Sequence, residues 1–166
     1  GLRRLSAVEL REREPAASGL SALLVPEEGI VDYAAVIAAL EKEVLAMGGE
    51  IRCDAKVFTL KQEGTGWIAG TTAGDFVGDF LVNCAGLYSD RVARLAGLAP
   101  QTRIVPFRGE YYKVRADSRA GLRHLIYPVP DPVFPYLGVH FTRLIHGGFE
   151  AGPNAVLAMA REGYTR

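Results

Sequence analysis

The chain carries no net charge, since its 19 lysines and arginines match its 19 aspartates and glutamates. That balance excludes a global field steering it to nucleic acid or an anionic membrane, and leaves selectivity to local groups. Cysteine is scarce. Cys53 and Cys84 form neither a CxxC pair nor a ligand cluster with the three histidines, so no metal site is expected. Two buried free thiols in a reducing, cytoplasmic compartment are the plain reading, and the sequence alone leaves a disulfide open. No apolar run approaches the roughly 20 residues that a membrane-crossing helix needs, and no stretch reads as a secretory signal. Gly-x-Gly-x-x-Gly occurs nowhere, so the usual strand–turn–helix cradle for a dinucleotide pyrophosphate is missing.

What is present is ample apolar material, 49% of 166 residues, enough for one domain or one domain plus part of another. Ser6-Ala-Val-Glu9 is a capping-box pattern, so a short helix should follow and stop before Pro15. A short strand is expected at Ala22–Val25. Asp32 should cap a longer helix over Tyr33–Met47, with Val36, Ile37, Leu40 and Val44 at helical spacing and Gly48-Gly49 ending it. Strands are expected at Glu50–Cys53, Lys56–Gln62, Gly66–Thr71 and Asp75–Val77. Phe80–Ala85 reads as a buried parallel strand that turns at Gly86 into a helix from Ser89 to about Ala96. After Pro100 the pattern is β-rich: Ile104–Val114, Leu125–Val129, Tyr136–Thr142 and Leu144–Ala151, with a last helix over Ala155–Arg161.

Polar groups that could carry chemistry concentrate between Pro106 and Asn154. In Pro-Phe-Arg-Gly-Glu-Tyr-Tyr, strand alternation puts Arg108, Glu110 and Tyr112 on one face and Phe107 with Tyr111 on the other. Arg108 can clasp a carboxylate through two parallel hydrogen bonds, or simply pair with Glu110. In Gly-Val-His-Phe-Thr-Arg, His140 shares a face with Thr142, and Arg143 points the other way. His140 is the best general-base candidate because a neutral imidazole accepts a hydroxyl proton, although a lone histidine is more often structural. Tyr127, ahead of Pro128, lines a pocket or fills the core, and the proline-rich turn from Pro128 to Pro135 is read as a rigid shaped loop. Gly152-Pro153-Asn154 is expected to end a strand and start a helix, with Asn154 as cap or ligand donor. Earlier in the chain, Gly86 in Asn83-Cys-Ala-Gly-Leu-Tyr-Ser-Asp90 lets backbone approach a ligand closely, as any strand-to-helix turn can.

These words, in this order from Glu-Leu-Arg-Glu-Arg-Glu-Pro onward, resemble the FAD-dependent L-2-hydroxyglutarate dehydrogenases (oxidases) within the broader D-amino-acid-oxidase-like flavoenzymes. The resemblance implies an internal piece of a longer enzyme with an α+β fold. Residues 1–100 would belong to an α/β FAD-binding domain, and residues 101–166 to an antiparallel substrate-binding sheet. It implies FAD as cofactor, with Val57 near the adenine and Cys84, Ala85 and Gly86 near the pyrophosphate and ribose. Cys84 stands where the family's Asn-Ala-Ala-Gly word usually has alanine. Gly152, Pro153 and Asn154 would lie near the flavin ring, His140 would act as base, and Arg108, Tyr111, Tyr127, Arg143 and Asn154 would bind substrate. The reaction implied is oxidation of L-2-hydroxyglutarate to 2-oxoglutarate by hydride transfer to FAD. A quinone is a candidate acceptor, which would bring peripheral contact with the inner membrane. The remaining segments of the same polypeptide are expected partners, and without them these residues should hold FAD weakly or not at all and show no turnover. A related glycine, sarcosine or glycerol-3-phosphate oxidase or dehydrogenase is the nearest alternative. A non-catalytic ligand-binding domain is an alternative of another class.

Overall fold

The computed structural model describes residues 1–115, 121–133 and 138–164. The first strand, β1 (Arg3–Ser6), pairs antiparallel with β2 (Ser21–Leu24), Leu5 facing Ala22, and helix α1 (Ala7–Arg13) lies between them in sequence. Ser6 ends the strand and caps the helix. Its hydroxyl accepts from the Glu9 amide at 3.3 Å, while the Glu9 carboxylate accepts the Ser6 amide at 2.8 Å and the Arg3 guanidinium at 2.7 Å. Those donors, the Ser6 amide foremost, lower the Glu9 pKa to about 2. Pro15 forces the preceding residue out of helical geometry, and Glu14 is extended at φ −133°, ψ 82°. Its side chain is buried, where the carboxylate accepts the Arg123 amide at 2.8 Å and the His124 amide at 3.1 Å, with His124 Nδ1 at 2.8 Å.

Helix α2 (Tyr33–Ala46) starts on Asp32, which accepts the Ala34 amide at 2.9 Å. It ends where Gly48 takes φ +82° and the Gly49 amide reaches back to the Val44 carbonyl at 2.9 Å, the closure expected of a glycine C-cap. Strands β3 (Val57–Glu63), β4 (Gly66–Thr71) and β5 (Gly74–Gly78) form an antiparallel meander joined by two tight turns. The expected strand at Glu50–Cys53 does not form. Instead the Thr72 hydroxyl donates to the Asp54 carbonyl and accepts from the Lys56 amide, holding this approach to β3 as a turn. Helix α3 (Ser89–Leu95) follows a 3-10 turn at Gly86–Tyr88 and lies against β3.

Phe80–Ala85, expected as a buried parallel strand, is irregular, with Phe80 88% and Val82 71% exposed. A parallel strand needs flanking strands to satisfy its backbone, and the described residues supply none beside it. The last sheet has the order β6 (Phe107–Lys113), β8 (Phe149–Leu157), β7 (His140–Arg143). β7 and β8 pair antiparallel, joined by a turn with Gly147 and Gly148 at positive φ. Leu125–Val129 contributes only a two-bond bridge between Ile126 and Phe141. Of the expected strand Tyr136–Thr142, residues 136 and 137 lie outside the described residues, as do 134 and 135 of the proline-rich loop.

The expected break at Pro153 is also absent, because β8 runs through it to Leu157 and no helix covers Ala155–Arg161. Proline fits inside a strand only where its missing N–H is not needed. Among the described residues pairing with β7 ends at Gly152, and beyond that point β8 has a neighbour on one side only.

By internal contacts the chain forms two units. One comprises Gly1–Ala38 with Phe107–Val156, and the other Ala39–Pro106 with Leu157–Arg166. The buried apolar side chains among the described residues are Leu5 and Leu60, while Ile37, Leu40 and Leu45 of α2 are each more than half exposed.

Replacing Glu14 by alanine removes the buried carboxylate that two part-buried amides and His124 Nδ1 share. In the full-length protein Glu14→Ala is expected to lower stability by about 2–3 kcal/mol, read as a lower denaturant midpoint with unchanged slope. A midpoint equal to that of the unaltered protein would show that the carboxylate anchors nothing.

Candidate functional site

The sheet β6–β8–β7 aligns three of the expected residues. His140 on β7 faces Gly152 on β8. The bridge between Ile126 and Phe141, through hydrogen bonds of 3.1 and 3.0 Å, brings Tyr127 beside His140, with ring centroids 4.9 Å apart. Across β8, the ring of Tyr111 occupies the space a side chain at Gly152 would need. A Cβ there would sit 2.6 Å from Tyr111 Cδ1 and 2.8 Å from the Glu110 carbonyl oxygen. Directly opposed residues of an antiparallel pair share a face. Tyr127, His140 and Tyr111 therefore form a row on one side of the sheet, with Gly152 as the low point between the last two.

His140 is half-buried, and its Nδ1 lies 3.0 Å from the Gly138 carbonyl oxygen. A carbonyl only accepts, so in the neutral ring Nδ1 carries the proton and Nε2 keeps its lone pair. That is the tautomer a general base requires.

Arg108 and Arg143 are not part of this row. Alternation directs both to the reverse face, and Arg108 makes the ion pair with Glu110 that the sequence left as its alternative. Arg143 is exposed on β7, opposite Phe149. Asn154 is an exposed residue of β8 and caps no helix. Pro153, after a cis peptide bond from Gly152, lies against β6, where a Cβ on Gly109 would come 3.1 Å from the proline Cβ.

The second group sits in the other unit. Asn83 folds the turn after the irregular segment, its amide donating to the Ser89 carbonyl at 2.8 Å and its side-chain oxygen accepting the Ala85 amide at 3.2 Å. Gly86 takes φ +52°, and a Cβ there would meet no atom within 4 Å. The turn thus presents bare backbone to open space beside exposed Cys84 and half-buried Ala85. Backbone left open in this way gives a ligand such as FAD room to approach closely. Val57 opens β3, opposite Thr71, and at 37% exposure it is no core valine. Cys53 and Cys84 are both free but exposed, not buried as expected, since both lie in irregular segments outside the sheets, and no group of three or more metal-binding side chains occurs among the described residues.

Sequence reasoning gave no role to Asp90, Arg161 or Glu162. Asp90 is 7% exposed and its carboxylate receives Arg161 at 2.7 and 3.1 Å, with Arg94 at 3.4 Å. The hydrogen bonds from Arg161 hold its pKa below the usual carboxylate range. Tyr88 donates to the Glu162 carboxylate, which raises the tyrosine pKa, and the guanidinium groups of Arg91 and Arg161 lie 5.5 and 5.9 Å from the ring centroid. No periodicity flags such a cluster, because its members are 71 to 74 residues apart.

Residues 1–165 match the family described as FAD dependent oxidoreductase, and the chain belongs to that family. Its curated relatives include L-2-hydroxyglutarate dehydrogenase of Indibacter alkaliphilus, 46% identical over 167 residues, covering 100% of this chain and 42% of the relative. The Escherichia coli K12 protein of the same name is 46% identical, over 98% of this chain and 39% of its own. The human mitochondrial one is 38% identical, over 99% and 38%. This chain thus spans about two fifths of the length of these relatives. Among solved structures, L-proline dehydrogenase from P. horikoshii superposes with a TM-score of 0.76 at 17% identity, over 93% of this chain and 41% of that one. A glycine oxidase from Geobacillus kaustophilus gives 0.64 at 18%, over 95% and 40%. These likenesses establish the mixed helix and antiparallel-sheet fold of FAD-dependent oxidoreductases. No helix among the described residues is long and apolar enough to cross a membrane.

Gly152→Ala should force the Tyr111 ring off β8. The expected cost is about 1–3 kcal/mol, together with altered near-ultraviolet circular dichroism from the displaced tyrosine. A variant with unchanged stability and spectrum would show that the ring is not packed against this glycine.

Proposed function

We propose that this chain is the part of an L-2-hydroxyglutarate dehydrogenase that contributes one wall of the FAD site and the base-bearing face of the substrate site. The observation that carries this reading is 46% identity to a named L-2-hydroxyglutarate dehydrogenase along the full chain. The row Tyr127–His140–Tyr111 supplies the chemistry. His140 Nε2 accepts the proton of the substrate hydroxyl, the Gly138 carbonyl holds the ring in the required tautomer, and Tyr111 and Tyr127 orient the hydroxyl or a carboxylate. Bound FAD supplies the hydride acceptor. Val57, Cys84, Ala85 and Gly86 would hold its adenosine and pyrophosphate, and Gly152, Pro153 and Asn154 would serve its ring. Residues 1–100 then belong mainly to FAD binding and residues 101–166 to the substrate sheet.

For Arg108 or Arg143 to hold a substrate carboxylate, a guanidinium must swing round an outer strand of the sheet from the reverse face. Among the described residues β6 and β7 stand at the two ends of the strand order, and Ile126 bridges β7 at Phe141. The 2-hydroxy acid is the small-molecule partner, a quinone is the proposed electron acceptor, and the remaining polypeptide of the enzyme covers the exposed apolar faces. A location at the cytoplasmic side of the inner membrane fits quinone reduction. A glycine-oxidase-like reaction has the fold in its favour but not the sequence, at 18% identity.

In the full-length enzyme, His140→Ala is expected to slow anaerobic flavin bleaching by L-2-hydroxyglutarate by about 10²–10⁴-fold. An unchanged reductive half-reaction would remove His140 as base. Arg108→Lys, which keeps charge but loses the two-pronged geometry, should raise the substrate KM about tenfold. If KM holds, Arg108 does not clasp the substrate and its pairing with Glu110 is structural.

A further inference from the structure

Arg161 stands four residues beyond the end of β8 in a segment that sequence reasoning assigned to a helix. Its guanidinium donates through Nη1 to the Leu87 carbonyl, inside the 3-10 turn Gly86–Tyr88. The same Nη1 and its neighbour Nη2 donate to the two oxygens of Asp90 at 2.7 and 3.1 Å. The Arg161 side chain is 17% exposed and that of Asp90 6%, so the pair is shielded from competing water. Tyr88 fixes the arrangement from its flank, with its ring near Arg161 and its hydroxyl on Glu162, the next residue along. Every contact converges on the turn that begins at Gly86, whose bare backbone faces open space.

We infer that Arg161 is a positioning residue for FAD. It touches no cofactor atom, but it fixes the Gly86–Asp90 turn at the position from which its backbone meets the dinucleotide. The inference rests on the reading of that turn as an FAD contact. The physical reason is entropic. A turn with glycine at positive φ is intrinsically mobile, and a two-pronged arginine that also holds the turn's carbonyl removes that freedom before the ligand arrives. Lysine cannot substitute, since a single ammonium cannot span both carboxylate oxygens and the carbonyl in one plane.

The test uses the full-length enzyme stripped of flavin and titrated with FAD, followed by quenching of flavin fluorescence. Arg161→Lys and Asp90→Asn are each expected to raise the FAD dissociation constant about tenfold, the loss of one charged hydrogen-bonded contact. The double variant should add little to either single one, because both break the same contact. At saturating FAD, kcat and the substrate KM should stay within about twofold of the unaltered enzyme. Tyr88→Phe keeps the ring and loses only the hydroxyl contact, and it should weaken FAD in the same direction by a smaller factor. An unchanged FAD affinity in Arg161→Lys overturns the inference. Should that variant fail to fold, an unchanged affinity in Tyr88→Phe overturns it instead. Gly86→Val separates this inference from its premise. If valine weakens FAD but Arg161→Lys does not, only the role of Arg161 falls. If valine also leaves FAD affinity intact, the turn is not a cofactor contact and both fall together.

Discussion

The sheet β6–β8–β7 depends on one absence, the missing side chain at Gly152. Three strands meet there, and the space a Cβ would occupy is taken by the Tyr111 ring and the Glu110 carbonyl. With any larger residue the ring would have to leave the face it shares with His140. The close approach of β6 and β8 and the row of aromatic and imidazole groups are therefore two results of a single steric fact. The run of β8 through Pro153 follows from the same place, since pairing with β7 stops at Gly152 and frees the next position from donating.

Polar anchors do much of the work that apolar packing does elsewhere. Among the described residues, the buried side chains comprise Leu5 and Leu60 on one hand and Glu14, Thr71 and Asp90 on the other. Each polar one ties together segments distant in sequence or closes a turn. Glu14 gathers the amides of Arg123 and His124, Thr71 closes the β4–β5 turn through the Gly74 carbonyl, and Asp90 receives Arg161. The logic is that of specificity: a directional contact fixes one geometry, whereas an apolar face accepts many. The apolar faces that remain open, such as that of α2 and the run Phe80–Val82, match a chain that spans about two fifths of its relatives.

Local signals were legible in the sequence wherever a few adjacent residues decide the geometry. The Ser6–Glu9 box, the Asp32 cap, the Gly48-Gly49 stop and the β3–β4–β5 meander all form as read. Where the outcome depends on distant neighbours, the same reading failed. Phe80–Ala85 has strand composition but no flanking strand among the described residues, and Gly-Pro-Asn looks like a helix start until the end of the β7 ladder is known. The family word around Gly86 was visible, while the Arg161–Asp90 contact that secures it was not. That contact joins residues 71 apart, and neither carries any local mark. Alternation did foresee that Arg108 and Tyr111 would part, because period two is itself a local rule.

The carboxylate of Glu14 has a temporal consequence. Its amide donors lie 109 and 110 residues further along the chain. At about 5–20 residues per second, a ribosome needs on the order of ten seconds to deliver them. Until then the segment β1–α1–β2 lacks the amide donors of its buried carboxylate. The stretch that follows is a complete meander that can assemble first. The Glu14 contact is therefore closed only after the whole intervening meander has been made.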